Sequence, residues 1–177
     1  QYIVILLDDS SVSFCHYNNS KSAQRLIPLE TLKAGIVHAM KENLNVQFVY
    51  PKFPLPDEYE KAIEEIDHIK IKPYVCHDNA DIVVFGSIME LTTFKFLSKK
   101  VTYLLQTDKN SLFSNADSVI PIFDKIDRLN IVLTDIDAFT EDDYSTYSMV
   151  LEKMSAEVEK IYATGKALQL NLLTNRM

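Results

Sequence analysis

The chain has no tryptophan, three glycines and two cysteines among its 177 residues. Average usage would supply about twelve glycines. Gly35, Gly86 and Gly165 are too far apart to form G-x-G-x-x-G or G-x-x-x-x-G-K-[ST], which removes the backbone cradles that hold dinucleotide or nucleotide phosphates. The G-x-S-x-G nucleophile elbow and the H-E-x-x-H zinc pattern are missing as well. Two cysteines cannot make a dense disulfide framework.

Positive charge is also in short supply. Twenty-five acidic residues face eighteen basic ones, for a net charge of -7, and the acids crowd into DEYEKAIEEID and TEDDYSTY. Nucleic acid requires a positive face, so it is excluded as a partner. No run approaches the ~20 apolar residues of a membrane span. The start, QYIVILLDDSS, has neither the basic flank nor the cleavage signature of a secretory signal. The chain therefore reads as cytoplasmic, without a membrane partner. It begins at Gln and stops after an apolar run, as expected of the N-terminal segment of a longer protein.

What is present is an alternation. YIVILL (2–7), VQFVY (46–50), IKI (69–71), DIVVF (81–85), VTYLL (101–105), NIVL (130–133) and LQLNLL (168–173) are short and mostly apolar on both faces. Such runs suit parallel strands covered on both sides. Between the first two, PLETLKAGIVHAMKEN places Leu29, Leu32, Ile36 and Met40 on one helical face and His38 on the other. The longest helix should run from Glu141 to Ala163. Tyr144, Tyr147, Leu151, Met154, Val158 and Ile161 recur there at helical spacing, with Thr140 as N-cap and Gly165 past the end. Residues 9–27 are polar and read as a long loop or hairpin. The expected fold is a single α/β domain over 1–177, a mainly parallel sheet with flanking helices. Its closure is either a partial (βα) barrel or a doubly wound open sheet.

Candidate site residues come from three patterns. In parallel α/β folds ligands bind at the C-terminal strand ends, and here Asp8 and Asp9 follow the first strand while Asp135 and Asp137 follow the sixth. Together these could form an acidic mouth for a cation or a basic peptide segment, or an acid-base pair; singly, such residues most often cap helices and make turns. YPKFPLPDEY offers Tyr50, Phe53 and Tyr59 among prolines, either as a binding edge or as a rigid connector whose rings cover the core. Cys15-His16 and Cys76-His77 are weak metal candidates. Structural zinc spaces its ligands by two to four residues, and a free cysteine is usually buried, so the expectation is no shared metal.

LLDDSSVSFCHY, LIPLETLKAGIVHAMKENLNVQFVYP and LPDEYEKAIEEIDHIKI resemble the N-terminal part of the CXXX repeat peptide maturases, proteins associated with radical SAM and SPASM peptide-modifying systems. RLNIVLTDIDAFTEDDYSTYSMVLEKM is similar to the late strand and helix of a radical SAM barrel. The resemblance implies a degenerate (βα) barrel and, as partner, a precursor peptide of spaced cysteines. It implies no catalytic residue here, because Cys15 and Cys76 cannot supply the Cys-x-x-x-Cys-x-x-Cys loop of a [4Fe-4S] cluster. The function expected is a cluster-free βα domain, with no cofactor in this segment, that recognises or presents that peptide. The alternatives are a metal-dependent acid-base enzyme using the strand-end aspartates and a structural zinc module.

Overall fold

A computed structural model describes residues 1–8, 25–96 and 100–174. It contains seven strands, β1 (Tyr2–Leu6), β2 (Asn45–Val49), β3 (His68–Pro73), β4 (Ile82–Phe85), β5 (Thr102–Thr107), β6 (Arg128–Leu133) and β7 (Gln169–Thr174). The helices are α1 (Leu29–Lys41), α2 (Asp57–Ile63), α3 (Ile88–Thr93), α4 (Lys109–Val119) and α5 (Glu141–Ala163), with short 3-10 turns at 74–76, 120–125 and 136–138. The protein is α/β, with mainly parallel strands flanked by helices. The chain divides into two compact units, 1–83 and 84–177, and β4 lies across the division.

In the first unit β1 pairs with β2 and β2 with β3, both in parallel, from Tyr2 opposite Asn45 to Val49 opposite Ile71. The apolar runs explain this. A strand buried on both faces presents side chains to helices above and below, and Val46, Phe48 and Val49 are almost wholly covered. Leu32, Ile36 and Ala39 of α1 complete the core with Ile5, Leu7, Ala62 and Ile63. The expected α1 stripe is therefore corrected at its end. Ala39 is buried and Met40 is 53% exposed, because the buried face closes on i, i+4, i+7. His38 is exposed, as its position on the opposite face predicts.

In the second unit β5, β6 and β7 are again parallel neighbours in chain order. Three parallel strands in chain order are common to an arc of a (βα) barrel and to one half of a doubly wound sheet, so the pairing inside each unit fits both expected closures. At one matched position, Asn130 opposite Asn171, the two amides hydrogen bond at 2.9 Å. The core combines Leu105, Leu129 and Ile131 with Leu112, Phe123 and Met154.

Helix α5 has the bounds the sequence predicts. The Thr140 hydroxyl accepts from the Asp143 N–H while the Asp143 carboxylate accepts from the Thr140 N–H, a reciprocal cap that satisfies two otherwise orphaned donors. At the other end Gly165 adopts φ +87°, a conformation costly for any residue with a Cβ. Among the described residues no helix is long and apolar enough to cross a membrane.

Candidate aromatic and acidic docking surface

The strand ends of the second unit lead into α4 and α5, and one lysine organises them. Asp108 caps α4 by accepting the Ser111 N–H at 2.7 Å. The next residue, Lys109, donates its backbone N–H to Asp135 Oδ1 at 2.9 Å and its Nζ to the Ala138 carbonyl at 2.8 Å and to Asp143 Oδ2 at 2.7 Å. Asp135 thus fixes the end of β6 to the start of α4, a turn role of the kind strand-end aspartates often take. The Lys109 hydrogen bond, followed by the one from the Thr140 N–H, holds the Asp143 carboxyl below the usual aspartate range.

A lowered folded-state pKa contributes stability above the ordinary aspartate value, and that contribution is lost as pH falls through the folded pKa. Lys109→Met removes the largest cause. The variant is expected to melt on the order of 2–4 °C lower at neutral pH, and the gap from the parent should narrow on acidification. Thermal melts across pH 7 to pH 2 check this. A gap of constant size would show that Lys109 acts through packing alone.

Above this network lies a group of rings. Phe139 meets Phe113 at 5.9 Å between centroids, Tyr144 at 5.2 Å and Tyr147 at 5.8 Å. These edge-to-face contacts suit the ring quadrupoles, and Lys109 Nζ stands 5.8 Å from the Phe139 centroid. Phe113, Phe139 and Tyr147 are half-buried and Tyr144 is 50% exposed. Asp137, Glu141 and Asp142 are exposed around them. The result is an aromatic surface bordered by solvated carboxylates.

The other predicted residues fall in different places. Asp8 belongs to the first unit, is 4% exposed and lines a cavity of about 380 Å³ with Arg25 and Ile27. Asp9, Cys15 and His16 lie outside the described residues. Asp135 and Asp137 share the end of β6 in the second unit.

The rings of the proline segment turn inward. Tyr50 and Tyr59 are 5% and 9% exposed, and the Tyr59 hydroxyl donates to the Ile27 carbonyl at 2.7 Å. Phe53 is half-buried. The segment is a connector that covers the core. Burial, and then the carboxylates of Glu60, Glu64 and Asp81, push the Tyr50 phenol well above its usual range, and its hydroxyl has no partner among the described residues. Lys72 stands 4.7 Å over that ring and donates to the Asp78 carbonyl at 2.7 Å. Burial, then Lys70, lowers its pKa.

Cys76 is half-buried rather than fully buried, and its Sγ donates to the Lys52 carbonyl at 3.3 Å. His77 Nδ1 lies 3.0 Å from the Tyr74 carbonyl oxygen. Among the described residues no group of three or more His, Cys, Asp or Glu is placed to hold a metal ion.

Sequence reasoning missed Lys109, Phe113 and Phe139 and assigned Tyr144 and Tyr147 to the core stripe of α5. The usable signal was DAFTEDDYSTY, where aromatics interleave with acids at a helix start. No family model, curated protein or solved structure matches this chain.

Proposed function

We propose that this chain is a cluster-free βα domain of a ribosomal-peptide maturation protein, and that it recognises or presents the precursor peptide. The observation that carries the reading is the half-exposed ring group of Phe113, Phe139, Tyr144 and Tyr147, bordered by Asp137, Glu141 and Asp142. Rings of this kind anchor a partner's apolar side chains at little entropic cost, and the exposed carboxylates draw basic side chains toward them. The resemblance to the CXXX repeat peptide maturases supplies the class of partner, a peptide of regularly spaced cysteines.

Calorimetric titration of the full chain tests this, using a synthetic reduced peptide with cysteine at every fourth position and lysine and leucine between. We expect micromolar binding that weakens severalfold as ionic strength rises from about 0.1 M to about 1 M, which shrinks the screening length from ~10 Å to ~3 Å. No binding, or binding indifferent to salt, would contradict the proposal.

A further inference from the structure

Three carboxylates at the ring group have no cation of their own. Asp143 is matched by Lys109 at 2.7 Å, whereas Asp137, Glu141 and Asp142 are exposed and form no ion pair among the described residues. No group of three or more His, Cys, Asp or Glu among the described residues is placed to converge on a metal ion. Spread over the surface, these charges suit an organic cation that makes several contacts at once.

The rings supply the other contacts. Tyr144 meets Phe139 at 5.2 Å with the ring planes 62° apart, and half of its side chain stays open to solvent. Glu141 precedes Tyr144 by three residues on α5, which makes the two neighbours on the helix surface, with Cβ atoms about 5–6 Å apart. A flat cation laid on the Tyr144 ring therefore comes within reach of the Glu141 carboxylate. Phe139 already has a cation beside it, Lys109 Nζ at 5.8 Å from its centroid. That ammonium is tied to the Ala138 carbonyl and to Asp143, so its charge is matched and it stays with Phe139.

We propose that this surface anchors an arginine side chain of the docked peptide, with the guanidinium stacked on Tyr144 and forked to Glu141, and that it prefers arginine to lysine there. The inference rests on the peptide-recognition reading and names the residue type that the site holds. A guanidinium is planar, more weakly hydrated than an ammonium, and pairs with a carboxylate through two N–H groups while its face lies on a ring. An ammonium is a strongly hydrated point charge. It feels the same carboxylates, but it must shed more water to reach the ring face.

Three forms of the cysteine-repeat peptide test this, identical except that every basic position is lysine, arginine or citrulline, the uncharged planar analogue of arginine. Calorimetry on the full chain should find the arginine peptide about fivefold tighter than the lysine peptide, the size of a cation–π contact at an exposed ring, and the citrulline peptide weakest. Tyr144→Leu should bring the arginine and lysine peptides within about twofold of each other, while Tyr144→Phe should keep the preference. Glu141→Gln should also reduce it. Glu152→Gln removes the same charge from an exposed position further along α5 and should leave it unchanged. Equal affinities for the arginine and lysine peptides in the parent would overturn the inference and leave peptide recognition standing. Citrulline binding as tightly as arginine, or a preference that survives Tyr144→Leu, would overturn it too. If none of the three peptides bound, the peptide reading would fall and this inference with it.

Discussion

Phe48→Ala is expected to destabilise the first unit by about 3–5 kcal/mol, the usual cost of removing a large aromatic from a filled core. Phe48 is fully covered on β2, the middle strand of the three that the first unit contributes. It belongs to the cluster that includes Ile5, Leu7, Leu32, Ile36 and Ile63, and its ring meets His68 edge-on at 5.2 Å. Alanine would leave a cavity among the buried side chains of that cluster, which are themselves held by β1, β2, α1 and α2, so collapse is restricted. Against a total stability of roughly 5–15 kcal/mol for a domain, the loss is large. Urea unfolding should show the midpoint falling sharply, whereas Val4→Ala on the edge strand β1, 36% exposed in the parent, should change stability by less than ~1 kcal/mol. Similar midpoints for the two variants would mean that Phe48 does not organise this core.

The second large effect concerns binding. Tyr144→Ala is expected to weaken the cysteine-repeat peptide by about thirtyfold, the ~2 kcal/mol expected of an aromatic anchor at the centre of a contact. Tyr144 is half exposed on the first turn of α5 and touches Phe139 at 5.2 Å, so its loss removes contact surface without opening the core. Tyr144→Phe should bind within a few fold of the parent, since the ring and its edge-on contact survive. Calorimetry on both variants decides the point, with the melting temperature as a check on folding. If Tyr144→Ala bound like the parent, the rings would be packing groups and no more.

Much of the fold is legible in the residues. All seven strands announce themselves as short apolar runs, and the expected runs differ from the observed strands by at most two residues at either end; β2, β4, β5 and β6 are apolar because they are largely covered, whereas β1 and β3 leave Tyr2, Val4 and Ile69 exposed. Helix α5 was legible to the residue because its caps are local chemistry, Thr140 with Asp143 at one end and Gly165 beyond the other. Helix α4 gave no such signal. It buries only Leu112, Ala116 and Val119 and bends at Asn115, so its periodicity is short and interrupted.

The site was less legible, for a physical reason. Charge and ring content can be counted along a chain, but the direction a ring faces is set by packing. Three prolines fix the backbone around Tyr50 and Tyr59 without saying that both turn inward. The spacing of Tyr144 and Tyr147 continues the α5 stripe, yet both meet Phe139, and the wholly buried part of that helix begins at Val150. Asp135 reads as a free strand-end carboxylate until the Lys109 N–H is seen to occupy one of its oxygens.

The most direct measurement of the central claim is a nuclear magnetic resonance titration of the full chain with the same cysteine-repeat peptide, read at every assigned residue. The account predicts the largest shifts at Phe113, Asp137, Phe139, Tyr144 and Tyr147, with Tyr50 and Tyr59 unmoved because their rings face the core. Shifts centred on Tyr50, Phe53 and Tyr59, or none above the scatter at saturating peptide, would contradict it.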